Sequence, residues 1–305
     1  MIEPSGYSHC AYAESLSEFG TARALQNCGG WILERPIFSS PHRDATGCYP
    51  LFMCQHWDEL ESDLNGLDGL VSLSIVADPF GNYDLGYLRR CFRDVVRPFK
   101  THYVVDLTRG RGRISAHHRR NLRRALRLSV VVTCDLPMNV EQVWLSLYDG
   151  LVSRRAVSGM AAFSHRALQQ QLAVPGAIVF QALHSSIPVG MHTWYIDHGV
   201  AYYHLGACND LGYTTGASFA LMDFALDYFS EHNVSWLDLG GSAGLADDES
   251  TGLARFKRGW ATDTRTAYFC GSILNKDAWV ELLRGHEYDS CKYFPSYRAT
   301  PLISE

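Results

Sequence analysis

The stretch GVAYYHLGACNDLGYTTGASFALMDFALDYFSEHNVSWLDL, residues 199–239, decides the fold. Its first part, Gly199 to Cys208, reads as a strand that continues the sheet. A small-residue loop follows, GYTTGAS from Gly212 to Ser218, and then a helix to about His232 with Ala220, Phe224, Leu226 and Phe229 at roughly helical spacing. Val234 to Leu239 reads as a second strand. Strand, crossover helix and strand make a parallel pair with a right-handed connection, which sets a mixed α/β class.

Elements upstream continue the sheet. Ile178 to Leu183 and Val189 to Ile196 pair across a Ser185-Ser186 turn, preceded by helices over Val140–Arg154 and Ser164–Leu172 and a strand over Ser129–Cys134. Further back, YVVDL (Tyr103–Leu107) is a buried strand, Tyr87–Arg97 a helix, Gly69–Ala77 and Trp31–Phe38 strands, and the opening segment to about Asn27 helical or loop. Pro36, Pro41 and Gly47 punctuate a loop. Downstream come a loop over Gly240–Thr251, the turn Phe256-Lys257-Arg258-Gly259 and a strand over Thr264–Leu274. The length of 305 residues suggests two domains, expected at 1–128 and 129–305. Both YVVDL and SWLDL end a strand in Asp-Leu.

Composition excludes several classes. Hydrophobic residues are 47% and charged residues 19%, so a packed core is expected and disorder is not. Stretches such as Leu70–Ala77 are too short to span a bilayer, and the N-terminal sequence carries no basic start followed by an apolar block, so residence in the cytoplasm is expected. Nine cysteines, without paired spacing, are expected to be reduced thiols. His42, Cys48, Cys54 and His56 do not match the ligand spacing of structural zinc sites, so no metal is expected.

Charge is distributed unevenly. Arginines 109, 111, 113, 119, 120, 123, 124 and 127 fall in one acid-free stretch, while the remaining 19 basic residues face 32 acidic ones. Ser115 is placed to cap a helix in which Leu122, Ala125 and Leu126 form a packed stripe flanked by Arg119, Arg120, Arg123, Arg124 and Arg127. Such a face is either solvated or meets a polyanion, and the planar guanidinium fork suits phosphate.

HRRNLRRA (118–125), the small-residue loop and helix after YYHLGAC, WLDLGGSAG (236–244) and GLARFKRGW (252–260) together resemble the Fem aminoacyltransferases and their GNAT-type acyltransferase relatives. The likeness runs over roughly residues 30–275. It implies two tandem GNAT-like domains, an acceptor in a cleft, and an activated acyl donor at the second domain. For a Fem-type enzyme that donor is an aminoacyl-tRNA, and an amide forms on a small-molecule or peptide amine; GNAT relatives use acyl-CoA. The family's Phe-Lys motif falls on Phe256 and Lys257, the lysine being the charge-stabilising residue. Arg258 joins the helix arginines as a candidate phosphate contact.

Aminolysis of an ester or thioester needs a neutral amine, a stabilised oxyanion and a route for the proton. Lys257, on a loop, would supply the cation; otherwise it is a surface lysine. Gly212, Thr214, Thr215, Gly216 and Ser218 form a donor-site loop whose amides could hold phosphate, or a helix start capped by Thr214 or Thr215. The CoA signature is matched in part, with Asn209 where Gln or Arg is usual and with Asp210 adding a negative charge. Asp238, Asp210 and His204 are candidate bases, and Tyr202, Tyr203 and Tyr213 either line the acyl site or belong to the core. Three readings remain: an aminoacyl-tRNA-dependent transferase, an acyl-CoA-dependent N-acyltransferase, and an inactive fold that binds RNA or a metabolite.

Overall fold

The computed structural model describes residues 3–299 apart from 39, 111, 113, 129, 156, 158, 245, 246 and 285–292. Expectations for Arg111, Arg113, Ser129 and Cys291 therefore lie outside the described residues. Along the chain run α1 (Cys10–Ser15), β1 (Thr21–Leu25), β2 (Gly30–Pro36), β3 (Arg43–Gly47), α2 (Leu60–Asn65), β4 (Leu70–Ala77), α3 (Leu85–Cys91) and β5 (Val95–Asp106). They are followed by α4 (Ala116–Arg127), β6 (Val130–Asp135), α5 (Glu141–Arg155), α6 (His165–Leu172), β7 (Ala177–His184), β8 (Ile187–Asp197) and β9 (Val200–Cys208). The chain continues with α7 (Asp210–Thr215), α8 (Ala217–Glu231), β10 (Trp236–Asp238), α9 (Gly252–Arg258), β11 (Asp263–Ile273) and α10 (Lys276–Leu283).

Two compact units emerge. One joins the residues up to Ser15 with Lys100–Thr266; the other joins Leu16–Phe99 with the chain from Ala267. The division expected after residue 128 falls within the first unit, between α4 and β6.

In the second unit the strand order is β1-β2-β3-β4-β11, with β3 and β4 parallel and the other neighbours antiparallel. Its core gathers Ile32, Leu60, Leu73, Ile75, Leu88 and Phe92. Three local expectations are corrected here. The opening segment ends in strand β1, because Thr21–Leu25 pairs with Gly30–Glu34. The loop expected around Gly47 is strand β3, whose residues find partners on β2 and β4. The helix expected to reach Arg97 ends at Cys91, and Val95 opens β5; Pro98 lacks the amide a longer helix would need.

In the first unit the order is β5-β10-β9-β8-β7-β6. Strands β9 and β10 are parallel, as the 199–239 stretch predicts, and the rest of the neighbours are antiparallel. The two Asp-Leu strands are partners: Asp106 lies opposite Trp236 and Val104 opposite Asp238. The Ser185-Ser186 hairpin turn is present, both serines taking positive φ (50° and 64°), the geometry that matches the twist of two-residue hairpins. Helix α8 packs on one sheet face through Leu221, Met222, Ala225 and Phe229, all fully buried, against Phe180, Trp194 and Leu237.

The expected GYTTGAS loop is instead helical. Asn209 caps α7 by accepting the Gly212 amide at 2.9 Å, Gly216 takes a left-handed conformation (φ 79°, ψ 30°), and α8 starts at once. Thr214 and Thr215 cap nothing; their hydroxyls return to the Asp210 and Leu211 carbonyls at 2.8 Å. Likewise the buried stripe of α4 runs through His118 and Ala125, with Leu126 59% exposed rather than packed. The eight described cysteines are unpaired, and among the described residues no helix is long and apolar enough to cross a membrane.

Phe229 is the centre of the α8 packing, with ring centroids of Phe180, Trp194 and Tyr228 within 5.5 Å. Phe229→Ala is expected to cost about 3–5 kcal/mol in a urea melt, the usual range for a buried ring. A cost under about 1 kcal/mol would contradict the packing of α8 on this sheet.

Candidate functional site

Strand β9 pairs with β10 only through Val200–Tyr202, whereas it continues along β8 to Cys208. The chain leaving β10 keeps to β5 instead: Leu239 N donates to Tyr103 O at 2.9 Å and Tyr103 N to Gly240 O at 3.2 Å. From Tyr203 onward the two parallel strands therefore diverge into a wedge open at their carboxyl ends, where α/β sheets hold ligands. A bulge accompanies the divergence. Thr193 pairs with Leu205 and Trp194 with Tyr203, so His204 is the extra residue, and such insertions bend a strand and raise its twist.

Lys257 lies at the mouth of this wedge. It is carried by α9, a helix capped by Thr251, and not by a loop; the acid-free sequence from Gly252 to Arg258 suits the helix's C-terminal end. Its Nζ donates to Gly241 O at 2.7 Å on the β10 side and sits 5.9 Å from the Tyr203 ring centroid on the β9 side. The side chain is buried at 7% exposure. Burial pulls its pKa down to about 8, the Asp238 charge opposing and Lys100 adding to the drop. Gly240 makes room for the ammonium. Its φ is +74°, and a Cβ there would stand 3.1 Å from Lys257 Nζ.

Around the lysine is a layer of polar groups of which the sequence singled out only Asp238. His102 Nδ1 lies 2.9 and 2.8 Å from the two Asp238 oxygens, so the ring donates from Nδ1. Asp238 also accepts the Gly240 amide at 2.7 Å, which folds the turn beside Lys257. Lys100, buried and with its pKa lowered by that burial, donates to Ser242 Oγ at 3.2 Å; Ser242 donates to Asp247, which accepts the Thr101 amide at 2.9 Å. A signal for this site was present in composition. The chain has four lysines (100, 257, 276 and 292) beside 23 arginines, and two of the four are buried here. Arginine does not give up its charge, whereas a desolvated lysine does.

The other expected site residues fall in several places. Phe256 stacks on His118 at 5.6 Å and meets Phe219 edge-on at 5.2 Å. Arg258 is committed internally, to Tyr103 OH at 3.2 Å and to the Glu249 carbonyl and carboxylate at 2.9 and 3.0 Å. Arg119, Arg120, Arg123, Arg124 and Arg127 are all exposed on α4, and among the described residues no carboxylate ion-pairs with them. Gly212, Thr214, Thr215 and Gly216 spend their polar groups within α7, and Ser218 is in the first turn of α8. Asp210 is exposed and pairs with Arg154 at 2.7 Å. Arg154 also stacks over Tyr213, 4.7 Å from its ring centroid. His204 has both ring nitrogens engaged, accepting from Tyr7 OH at 3.0 Å and donating to Gln171 Oε1 at 3.0 Å, and burial drops its pKa to about 3. Tyr202 is buried and Tyr203 lines the wedge. Among the described residues no group of three or more His, Cys, Asp or Glu is disposed to hold a metal ion.

The architecture is similar to that of several solved structures. The crystal structure of FemX matches at 14% identity over 89% of this chain and 93% of that one, with a TM-score of 0.64. The C-terminal domain (DUF2156) of a putative lysylphosphatidylglycerol synthetase from Agrobacterium fabrum matches at 13% identity over 92% and 91%, with a TM-score of 0.57. L-PGS from Bacillus licheniformis matches at 12% identity over 92% and 96%, with a TM-score of 0.58. The fold is the one these structures share. No protein-family model and no curated protein matches the sequence.

Burying an ammonium has a measurable signature. The unfolded chain holds the Lys257 proton up to about 10.5 and the folded chain releases it at about 8, so folding expels a proton between those values and stability rises with pH across the window. Lys257→Met removes the effect. It is expected to stabilise the protein by about 1–3 kcal/mol at pH 7 and by progressively less toward pH 10.5, read as the difference between urea melts of the two proteins. A variant that is less stable at pH 7, or a difference independent of pH, would contradict the buried charge.

Proposed function

We propose that this protein is an acyltransferase that forms an amide, taking an aminoacyl group from an aminoacyl-tRNA and passing it to the amine of a small molecule or peptide. The observation that carries the reading is Lys257, a buried ammonium at the mouth of the β9–β10 wedge, facing the Tyr203 ring and hydrogen-bonded to the Gly241 carbonyl. The exposed arginines of α4 support the choice of donor. Five guanidinium groups on one helix face, without carboxylate partners among the described residues, suit a phosphodiester backbone better than the single pyrophosphate of CoA. Internal commitment of the Gly212 amide to Asn209 and of Arg154 to Asp210 is a further reason to prefer tRNA over CoA. Both units are read as GNAT-like, with the donor site in the unit that carries Lys257. A charged-tRNA donor places the reaction in the cytoplasm.

In the reaction the acceptor nitrogen bonds to the ester carbonyl carbon, and negative charge gathers on the carbonyl oxygen. The Lys257 ammonium stabilises that oxyanion at a position where little water competes, the condition under which such a charge is most effective. Collapse breaks the bond to the ribose oxygen, which takes up a proton as the amine gives one away. Asp238 is not the group that takes it, since its oxygens are occupied by His102 and Gly240; it orients His102, whose Nε2 is the ring nitrogen left for the proton. The wedge itself supplies much of the rate by holding donor and acceptor together, an effect of up to about 7–11 kcal/mol in well-oriented systems.

Purified protein, a pool of aminoacylated tRNAs or acetyl-CoA, and a mixed amine library, with and without ribonuclease, test the reading by mass spectrometry. Ribonuclease-sensitive amide formation is expected. Transfer from acetyl-CoA that ribonuclease leaves intact would move the protein to the CoA-dependent enzymes, and no transfer from either donor would leave an inactive binder. Affinity for charged tRNA should fall steeply between about 50 and 200 mM salt and lose that steepness when Arg120, Arg123 and Arg124 are replaced by Ala. Fold stability should hardly change in that triple variant, because exposed charges contribute little.

For Lys257→Ala a loss in kcat of about 100-fold or more is expected, with tRNA affinity retained. As the ammonium is lost above about pH 8, the wild-type rate should decline on the alkaline side. An unchanged rate in the alanine variant would remove Lys257 from the mechanism.

A further inference from the structure

We propose that His118 is a positioning residue: it fixes α9, and with it Lys257, to the arginine-bearing helix α4. The proposal rests on the reading of Lys257 and α4 given above and adds the part that joins them. At the end of α9 the Arg255 carbonyl accepts Gly259 N at 3.2 Å, and the Lys257 carbonyl accepts Trp260 N and Ala261 N at 3.1 Å. Between them the Phe256 carbonyl is one of the orphan acceptors every helix end leaves. His118 Nε2 fills it at 2.7 Å.

A carbonyl only accepts, so the imidazole proton is on Nε2, and Nδ1 accepts from the Ser115 hydroxyl at 2.8 Å. Ser115 Oγ in turn accepts the His118 amide at 3.2 Å, and Ser115 N donates to Gly259 O at 3.2 Å. The start of α4 and the end of α9 are thereby interlocked through both side chain and backbone. The ring is 3% exposed, with Phe219 and Trp260 each 5.1 Å away edge-on and Phe256 stacked. Burial lowers its pKa, with His117 adding to the drop, and the neutral ring is the form that these two bonds need. Gly259 is part of the device, because a Cβ at that position would run into the imidazole.

One helix therefore offers phosphate-binding groups to solvent and, from its buried face, holds the peptide unit that precedes the reactive lysine. A polyanion seated on α4 and an acyl carbon in front of Lys257 are referred to the same rigid block, which is what transfer from a long donor requires.

Trace acetylation of the full chain with acetic anhydride over a range of pH, followed by peptide mass spectrometry, reads the Lys257 titration without any knowledge of the substrate. The groups facing Lys257 are Asp238 on β10, Lys100 on β5 and Tyr203 on β9, and none is altered in the variants. Wild-type Lys257 is expected to titrate at about 8, with the exposed helix residue Lys276 serving as the internal standard for labelling. In His118→Phe it should move by at least one unit toward 10.5, an approximately tenfold slower labelling at neutral pH, while Lys276 is unchanged. His118→Gln, whose side-chain amide can donate to the Phe256 carbonyl, should stay near wild type. Gly259→Ala, which displaces the ring, should behave as the phenylalanine variant and serves if that one does not fold. With the transfer assay in hand, kcat should fall and the donor KM hold.

Wild-type labelling at about 8 that His118→Phe leaves unmoved would overturn the assignment of His118 alone. So would a glutamine variant as impaired as the phenylalanine one. A wild-type Lys257 that titrates near 10.5 would overturn the reading of Lys257 as well.

Discussion

A lysine ammonium that gives up most of its hydration must be compensated or must lose its proton, and the first unit is organised around that constraint at Lys257. The Gly241 carbonyl accepts its hydrogen bond, the Tyr203 ring offers a π face, and Asp238 contributes an opposing charge from the end of β10. Each of these groups is where it is because β9 and β10 part company after Tyr202. Had the ladder continued, the chain beyond Asp238 would have paired with Tyr203–Cys208, and neither the glycine turn nor the wedge would exist. The bulge at His204 and the return of Leu239 and Gly240 to β5 are the two local features that keep the strands apart.

Lysine and arginine divide the work. The arginines of α4 stay in water, where a permanent charge and a planar fork are useful, and the two site lysines are withdrawn from it, where a charge that can be tuned is useful. His118 connects the two regimes. It uses one face of an arginine-rich helix as ordinary packing surface and completes the backbone hydrogen bonding of α9. The Gly259 approach and the Ser115 cap show how closely the two helices are fitted.

Much of this was legible in sequence, for identifiable reasons. The parallel pair β9–β10 followed from a strand, a helix and a strand in one 41-residue stretch. Ser115 as a cap, the exposed arginines and the Ser185-Ser186 hairpin followed from local rules. What was not legible depended on contacts distant in sequence. GYTTGAS carries glycine and threonine, poor helix formers, but Asn209 caps one short helix there and packing of α8 imposes the next. Leu126 fits a helical stripe by spacing, yet the side of α4 that meets α8 is set by His118 and Ala125. Strand β3 is decided by β-partners on both sides that periodicity does not see. His102 lay in plain view four residues before Asp106, but its meaning depends on Asp238, 136 residues away. The scarcity of lysine was the one compositional cue to the site.

The most direct measurement is the titration of the four lysines by heteronuclear NMR on protein labelled at the lysine side chains, with Lys257→Met to assign the resonance of interest. Lys257 should titrate at about 8. A value near the ordinary 10.5 would mean that the ammonium remains hydrated, and the wedge would then lack the desolvated cation on which the account rests.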